Sequence, residues 1–201
     1  MIDGTFVVGI SGKAGSGKDT FANMLYEVLN RKEINIHKLA FADTLKDIIY
    51  ELWGVNSQTQ EEKLAIVECS SGDKAVRDLL ITIGPIFREI DSDVWVKAIT
   101  RRISQYDRFK VGLTSIVIIT DVRYPNEKQI CDVTIRVKRD DAQTNLNKSQ
   151  QQHESEIAIT DNDEFDFVVN NNGTFDELNT RTIEIVSAML LLILSKIIKG
   201  S

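Results

Sequence analysis

The sequence is short of cysteine and of positive charge, and each shortage narrows what the protein can be. Its two cysteines, Cys69 and Cys131, lie far apart and form no metal-ligand spacing. Neither a zinc site nor a disulfide framework is expected, and both read as free thiols of a reducing cytoplasm. Positive charge is in deficit: 24 Lys and Arg against 30 Asp and Glu leave a net charge of −6. Proteins that coat nucleic acid show the opposite balance, so no nucleic-acid partner is expected. A small phosphate ligand stays open, because it needs only a local cluster of cations. Long apolar runs are missing except near the C-terminus. There residues 188–198 are very apolar but too short to cross a bilayer, with Glu184 shortly before the run and Lys196 near its end. A buried core helix is expected, and no membrane partner. No basic region followed by an apolar block opens the chain, so no signal peptide is expected. No internal repeat is visible. A chain of 201 residues without one reads as a single domain, 1–201.

What is present is concentrated near the N-terminus. Gly12, Gly17 and Lys18 fit the spacing G-x-x-x-x-G-K within Gly12-Lys13-Ala14-Gly15-Ser16-Gly17-Lys18-Asp19-Thr20. Wrapping a phosphate in backbone N–H groups requires a chain that turns tightly and approaches closely, which glycine permits. The helix that follows directs unpaired N–H groups and its positive dipole end at the anion. Lys18 adds a mobile point charge for the terminal phosphates. A glycine turn that binds nothing has no need of a strand before it and an amphipathic helix after it. Both are there: Val7, Val8 and Ile10 read as a buried strand, and Phe21, Met24, Leu25, Val28 and Leu29 recur at helical spacing.

Further along, residues 35–41 read as a second strand. A helix follows, with Thr44 and Asp47 placed as N-cap and partner and Gly54 as its stop. Residues 73–83 read as a helix interrupted by Gly84-Pro85, and Ser92 as the start of another. Residues 115–120 form a β-branched run that reads as a buried strand and ends in Asp121-Val122-Arg123. Ligands of open parallel sheets bind outside the carboxyl ends of the strands, so Asp121 and Arg123 are site candidates, an ion pair fixing the loop being the alternative. Residues 133–137 and 165–170 read as strands four and five. Thr174 and Glu177 form a capping box for a long last helix. Strands alternating with helices predict an α/β fold: a five-stranded parallel sheet flanked by helices, with right-handed crossovers. Two insertions stand out, a helical one over 43–110 and a loop over 138–155, suited to hold an acceptor and to close over a donor. His153-Glu154-Ser155-Glu156 could be read as a metal site, but these side chains cannot all face one way in a helix or strand.

The glycine-rich segment, then Leu39-Ala40-Phe41-Ala42-Asp43-Thr44-Leu45-Lys46, Arg88 with Asp91 and Trp95, Asp121-Val122-Arg123-Tyr124-Pro125-Asn126-Glu127, and His153-Glu154-Ser155-Glu156, in this order, resemble the bacteriophage deoxynucleoside monophosphate kinases. The likeness runs over about residues 6–180. Lys18-Asp19-Thr20 is similar to the Lys-Gly-Thr ending of nucleoside monophosphate kinases, and Gly84-Pro85 departs from a Gly-Thr pair expected there.

The resemblance implies a P-loop NTPase fold with a helical acceptor-binding insertion and a short lid. It also implies transfer of the γ-phosphoryl group of ATP to a deoxynucleoside 5′-monophosphate, with Mg²⁺. ATP would lie on residues 12–20. Lys18, Arg88 and Arg123 would be catalytic. The acceptor would meet Asp43, Lys46, Arg77, Arg88, Trp95, Asp121, Arg123 and Glu127. Arg136, Lys138 and Arg139 would serve the lid, and Asp19, Thr20 and Asp121 the metal, directly or through water. The location implied is the cytoplasm (of the host, for a phage protein), and the assembly it hints at is a homodimer. Two other readings stay open: a P-loop kinase of a phosphorylated metabolite such as phosphomevalonate or dephospho-coenzyme A, and a nucleotide-binding regulator without turnover.

Overall fold

The computed structural model of the protein describes residues 5–30, 35–107, 115–142, 146, 151–160 and 162–199. Contacts divide the chain into two units, Met1–Ala40 with Arg102–Ser201, and Phe41–Arg101. The second unit covers most of the stretch read as a helical insertion.

In the first unit the apolar, β-branched runs become strands β1 (Thr5–Ser11), β2 (Asn35–Leu39) and, after the second unit, β5 (Ser115–Ile119). The unit also holds β6 (Val133–Lys138) and β7 (Phe167–Asn170). They form one sheet in the order β2-β5-β1-β6-β7. Every pairing is parallel, as the sequence predicts. β1 and β5 are buried along their whole length, whereas the edge strands β2 and β7 alternate or lie half open. That difference follows from position: a central parallel strand is covered on both faces and must be apolar throughout.

Helix α1 (Lys18–Asn30) presents Phe21, Leu25 and Leu29 to Phe6, Val8 and Ile10 of β1. Each such side chain contributes about 1.5–3 kcal/mol on burial. Short helices α5 (Pro125–Gln129) and α6 (Glu154–Ile157) interrupt the connections to β6 and β7. The last helix, α7 (Phe175–Lys199), packs Leu178, Ile185, Val186, Met189 and Ile193 into the same core and lies against α1. Its capping box forms as expected: Glu177 Oε2 accepts from the Thr174 N–H at 2.7 Å, and Thr174 Oγ1 accepts from the Glu177 N–H at 3.3 Å. By length and composition Phe175–Ser195 could cross a membrane. One face of it is nonetheless part of the sheet core. The expected core helix is therefore present but buried on one face only, since Ile183, Leu191 and Leu194 are exposed.

The second unit contains α2 (Asp43–Trp53), a hairpin of β3 (Ile66–Val67) and β4 (Lys74–Ala75), then α3 (Val76–Ile90); α4 (Val94–Asp107) begins there. The hairpin is antiparallel and two residues per strand, too short to show a periodicity. Gly54 closes α2 in the left-handed conformation, φ 68°, its N–H bonded to the Tyr50 carbonyl. At the other end the expected cap is displaced. The helix starts at Asp43 from an Ala42 without a side-chain bond, so Thr44 sits inside it. A second correction concerns α3, which runs unbroken through Gly84-Pro85. Proline removes one backbone bond and costs about 3 kcal/mol in a helix. Gly84, having no Cβ, removes one of the clashes that a ring at Pro85 would otherwise make with the preceding residue. Val76 and Leu79 pack on Ile49 and Val67 before the proline, and beyond it Phe87 meets the Trp95 ring at 5.5 Å, so α3 is held on both sides of Pro85.

Candidate functional site

The glycine-rich segment leaves the central strand β1 at Ser11 and enters α1 at Lys18. Gly15 and Gly17 take φ of 79° and 86°, a region other residues rarely adopt. The Ser16 N–H donates to the Lys13 carbonyl at 3.1 Å, which tightens the turn, and the Phe21 N–H donates to Gly17 at 3.0 Å, which opens the helix. The Asn171 side-chain amide donates to the Ser16 carbonyl at 2.9 Å. A Cβ on Gly12 would stand 2.5 Å from Ser16 Oγ and 2.8 Å from the Val137 carbonyl. The loop therefore lies hard against β6. Ser16 Oγ is buried and has no hydrogen-bond partner among the described residues. A tight cup carrying an unsatisfied buried hydroxyl fits an anion with several acceptor oxygens.

Lys18 is half-buried at the first turn of α1. Burial, and then the Arg123 guanidinium, push its pKa down, while Asp19, Glu156 and Asp121 push the other way. Asp19 and Thr20 are exposed on the same turn.

Arg123 reaches this place because the chain leaving β5 stays tied to the sheet, the Thr120 N–H donating to the Leu39 carbonyl at 3.0 Å and the Val122 N–H to the Ile10 carbonyl at 3.1 Å. Its own N–H and that of Tyr124 donate to Glu127 Oε2 at 2.8 and 3.1 Å. The guanidinium Nη1 donates to the Ser155 carbonyl at 3.3 Å and forms an ion pair with Glu156 Oε1. Glu156 Oε2 in turn accepts from the Ala14 N–H of the loop at 3.3 Å. The Arg123 side chain is 32% exposed and that of Glu156 11%. Burial opposes the charge on Arg123, but the Glu156 carboxylate and then Asp121 and Glu127 outweigh it and raise the pKa. Loop, Lys18, Arg123, Asp121 and Glu156 thus belong to one set of interacting charges.

Other expected site residues are placed differently. Arg136, expected at the lid, lies within β6, is 3% exposed, and donates from Nη1 to Ser11 Oγ at 2.8 Å. It is a strut between neighbouring strands. Lys138 ends β6 half-buried and Arg139 follows it exposed. Of the proposed lid, 138–155, residues 143–145 and 147–150 lie outside the described residues. Glu127, expected to bind acceptor, is 1% exposed, and its carboxylate is committed to the backbone before α5.

Trp95, also expected at the acceptor, is 4% exposed. Its Nε1 donates to the Gly84 carbonyl at 3.3 Å and its ring meets Phe87 edge-on at 5.5 Å. It belongs to the core of the second unit. In that unit Lys46 pairs with Asp43 at 3.2 Å and reaches Gln58 at 3.1 Å, Arg77 bonds Gln60, and Arg88 is half-buried near the end of α3. Among the described residues no group of three His, Cys, Asp or Glu could hold a metal ion by itself. His153 caps α6, its Nδ1 accepting from the Ser155 N–H at 3.3 Å.

Two contributors were not anticipated from the sequence, Glu156 as the partner of Arg123 and Asn171 as the tie to Ser16. The His153–Glu156 motif marked the first segment without saying where it points. The asparagines 170–172 signalled only a turn.

No protein-family model matches the chain, and no curated protein matches it. Solved structures do. Dephospho-CoA kinase from Campylobacter jejuni shares 12% identity over 92% of this chain and 97% of its own, with a TM-score of 0.49. TT1252 from Thermus thermophilus shares 16% over 92% and 98%, with a TM-score of 0.48. The APS kinase of Mycobacterium tuberculosis shares 12% over 91% and 97%, with a TM-score of 0.38.

Proposed function

We propose that the protein is an ATP-dependent kinase that transfers the γ-phosphoryl group to a deoxynucleoside 5′-monophosphate, giving the diphosphate. The observation that supports this best is the meeting of the glycine-rich loop and Lys18 with Arg123 at the carboxyl end of the sheet. A donor triphosphate and an acceptor monophosphate are both anionic, and phosphoryl transfer is promoted mainly by holding them together and absorbing charge in the transition state. Lys18 would hold the terminal phosphates of the donor. Arg123 would take the acceptor phosphate or the moving phosphoryl group, its N–H fixed by Glu127. Arg88 is proposed as a further cation on the acceptor phosphate. No general base is needed, because a monophosphate oxygen is already an anionic nucleophile.

Mg²⁺ would supply charge neutralisation at the phosphates. It typically keeps several waters and uses one or two carboxylates with the phosphates rather than a full protein cage. Asp121 and Asp19, with Thr20, are the residues that would hold it. The nucleotide acceptor comes from the sequence resemblance.

The test is an acceptor panel with ATP and Mg²⁺, reading nucleoside diphosphate and ADP formation. It includes each deoxynucleoside monophosphate, its ribose counterpart, phosphomevalonate and dephospho-coenzyme A. Turnover of one or more deoxynucleotides is expected. Turnover of a non-nucleotide alone would overturn the acceptor assignment. ATP binding without turnover of any acceptor would favour a regulator instead.

A further inference from the structure

We propose that the Glu156 carboxylate is a built-in occupant of the anion cup, which a phosphate ligand must displace in order to bind. This rests on reading the loop as a phosphate site. Three features point to displacement. First, the carboxylate uses two of the donors a phosphate would need: Oε2 accepts from the Ala14 N–H and Oε1 from Arg123 Nη1. Second, it is nearly enclosed, 11% exposed, beside the half-buried Lys18. An added polyanion would therefore share a confined space with it, and like charges so placed repel strongly. Third, it does not complete the cup. Among the described residues Ser16 Oγ has no hydrogen-bond partner, whereas a tripolyphosphate brings more oxygens than a carboxylate's two.

Glu156 lies in the four-residue helix α6 and is attached through its own rotatable bonds. It can leave by side-chain rotation, without any change of fold. In the empty protein it neutralises Arg123 and holds the loop; in the occupied protein the ligand takes over both contacts. The cup then has an affinity set by a competition, and it rejects weak or singly charged anions that cannot outbid a resident carboxylate.

The opposite role is also definite. If Glu156 were a permanent strut for Arg123, its loss would weaken phosphate binding. Titration calorimetry with inorganic tripolyphosphate and with ATP, on the wild type and on Glu156→Gln, separates the two. Glutamine keeps the shape and an acceptor for Ala14 while removing the charge. Displacement predicts at least about tenfold tighter binding of both probes by Glu156→Gln. Equal or weaker binding overturns the proposal but leaves the phosphate site standing. Absence of binding in both proteins overturns the phosphate site and this proposal with it.

A second measurement needs no variant. In the wild type, the side-chain carboxyl carbon resonance of Glu156 should shift as tripolyphosphate saturates the protein. A resonance unmoved at saturation overturns displacement.

Discussion

The side-chain amide of Asn171 donates to the main-chain carbonyl of Ser16 at 2.9 Å, across 155 residues of sequence. It joins the end of β7 to the glycine-rich loop and restrains the one turn on which phosphate binding depends. Such a bond contributes about 1 kcal/mol. Asn171→Ala is expected to lower stability by about that amount, read in a denaturant titration, and to weaken ATP binding more than that loss alone explains. Unchanged ATP affinity would show that the loop keeps its shape without the tie.

Gly17 meets the same asparagine. A Cβ there would lie 2.2 Å from Asn171 Nδ2, and φ at 86° disfavours any L side chain. Gly17→Ala combines both costs and should destabilise by about 1–3 kcal/mol. The double variant with Asn171→Ala removes the collision but keeps the backbone strain. It should therefore be less destabilised than the two single effects summed. Strict additivity in melting or denaturant curves would refute the collision.

The sheet was legible because its strands are apolar, β-branched and separated by amphipathic runs, as at Val7–Ile10 and residues 115–120. The loop was legible because glycine spacing reports backbone conformation directly. Tertiary choices were not. Pro85 reads as a break, yet packing on both sides of it, Leu79 before and Phe87 on Trp95 after, holds α3 in one piece. Arg136 reads as a lid cation beside Lys138 and Arg139, but strand alternation turns it inward onto Ser11. Trp95 and Glu127 carry site-like chemistry that the fold uses internally, in a core and a helix cap. Glu156 depends on which way a four-residue helix faces, and no periodicity shorter than a turn and a half reports that.

Lys18→Ala should abolish phosphoryl transfer, by about a thousandfold or more, with the fold retained. Removing a positioned charge from a transition state that spreads negative charge costs about 3–4 kcal/mol or more. Circular dichroism and single-turnover rates check the two halves. A variant turning over at the wild-type rate would sink the assignment of the loop.

Arg123→Ala should lower kcat/KM for the acceptor by about a hundredfold, with a smaller change in the ATP KM. It also leaves Glu156 without its ion-pair partner, so the Arg123→Ala, Glu156→Gln double variant should recover part of any stability lost. An effect confined to the ATP KM would remove Arg123 from the acceptor side.

Cys131 offers a test of the sheet's burial that is independent of any ligand. Its Sγ packs so close to β1 that a Cβ on Gly9 would stand 2.4 Å away. Burial first, then Asp132, Glu127 and Asp166, push the thiol pKa up to about 12. The ordinary value is about 8.5. Between these two values the unfolded chain releases the proton and the native protein keeps it. The stabilisation is therefore complete below about pH 8.5 and is lost as pH rises toward 12, at up to about 1.4 kcal/mol per pH unit. Since only the thiolate is alkylated, iodoacetamide at pH 8.5 should modify Cys131 about a thousandfold more slowly in the native protein than in denaturant, read by peptide mass spectrometry. The unfolding free energy should fall more steeply above pH 8.5 than in Cys131→Ala. Native labelling as fast as in denaturant would mean that the thiol is not held against Gly9.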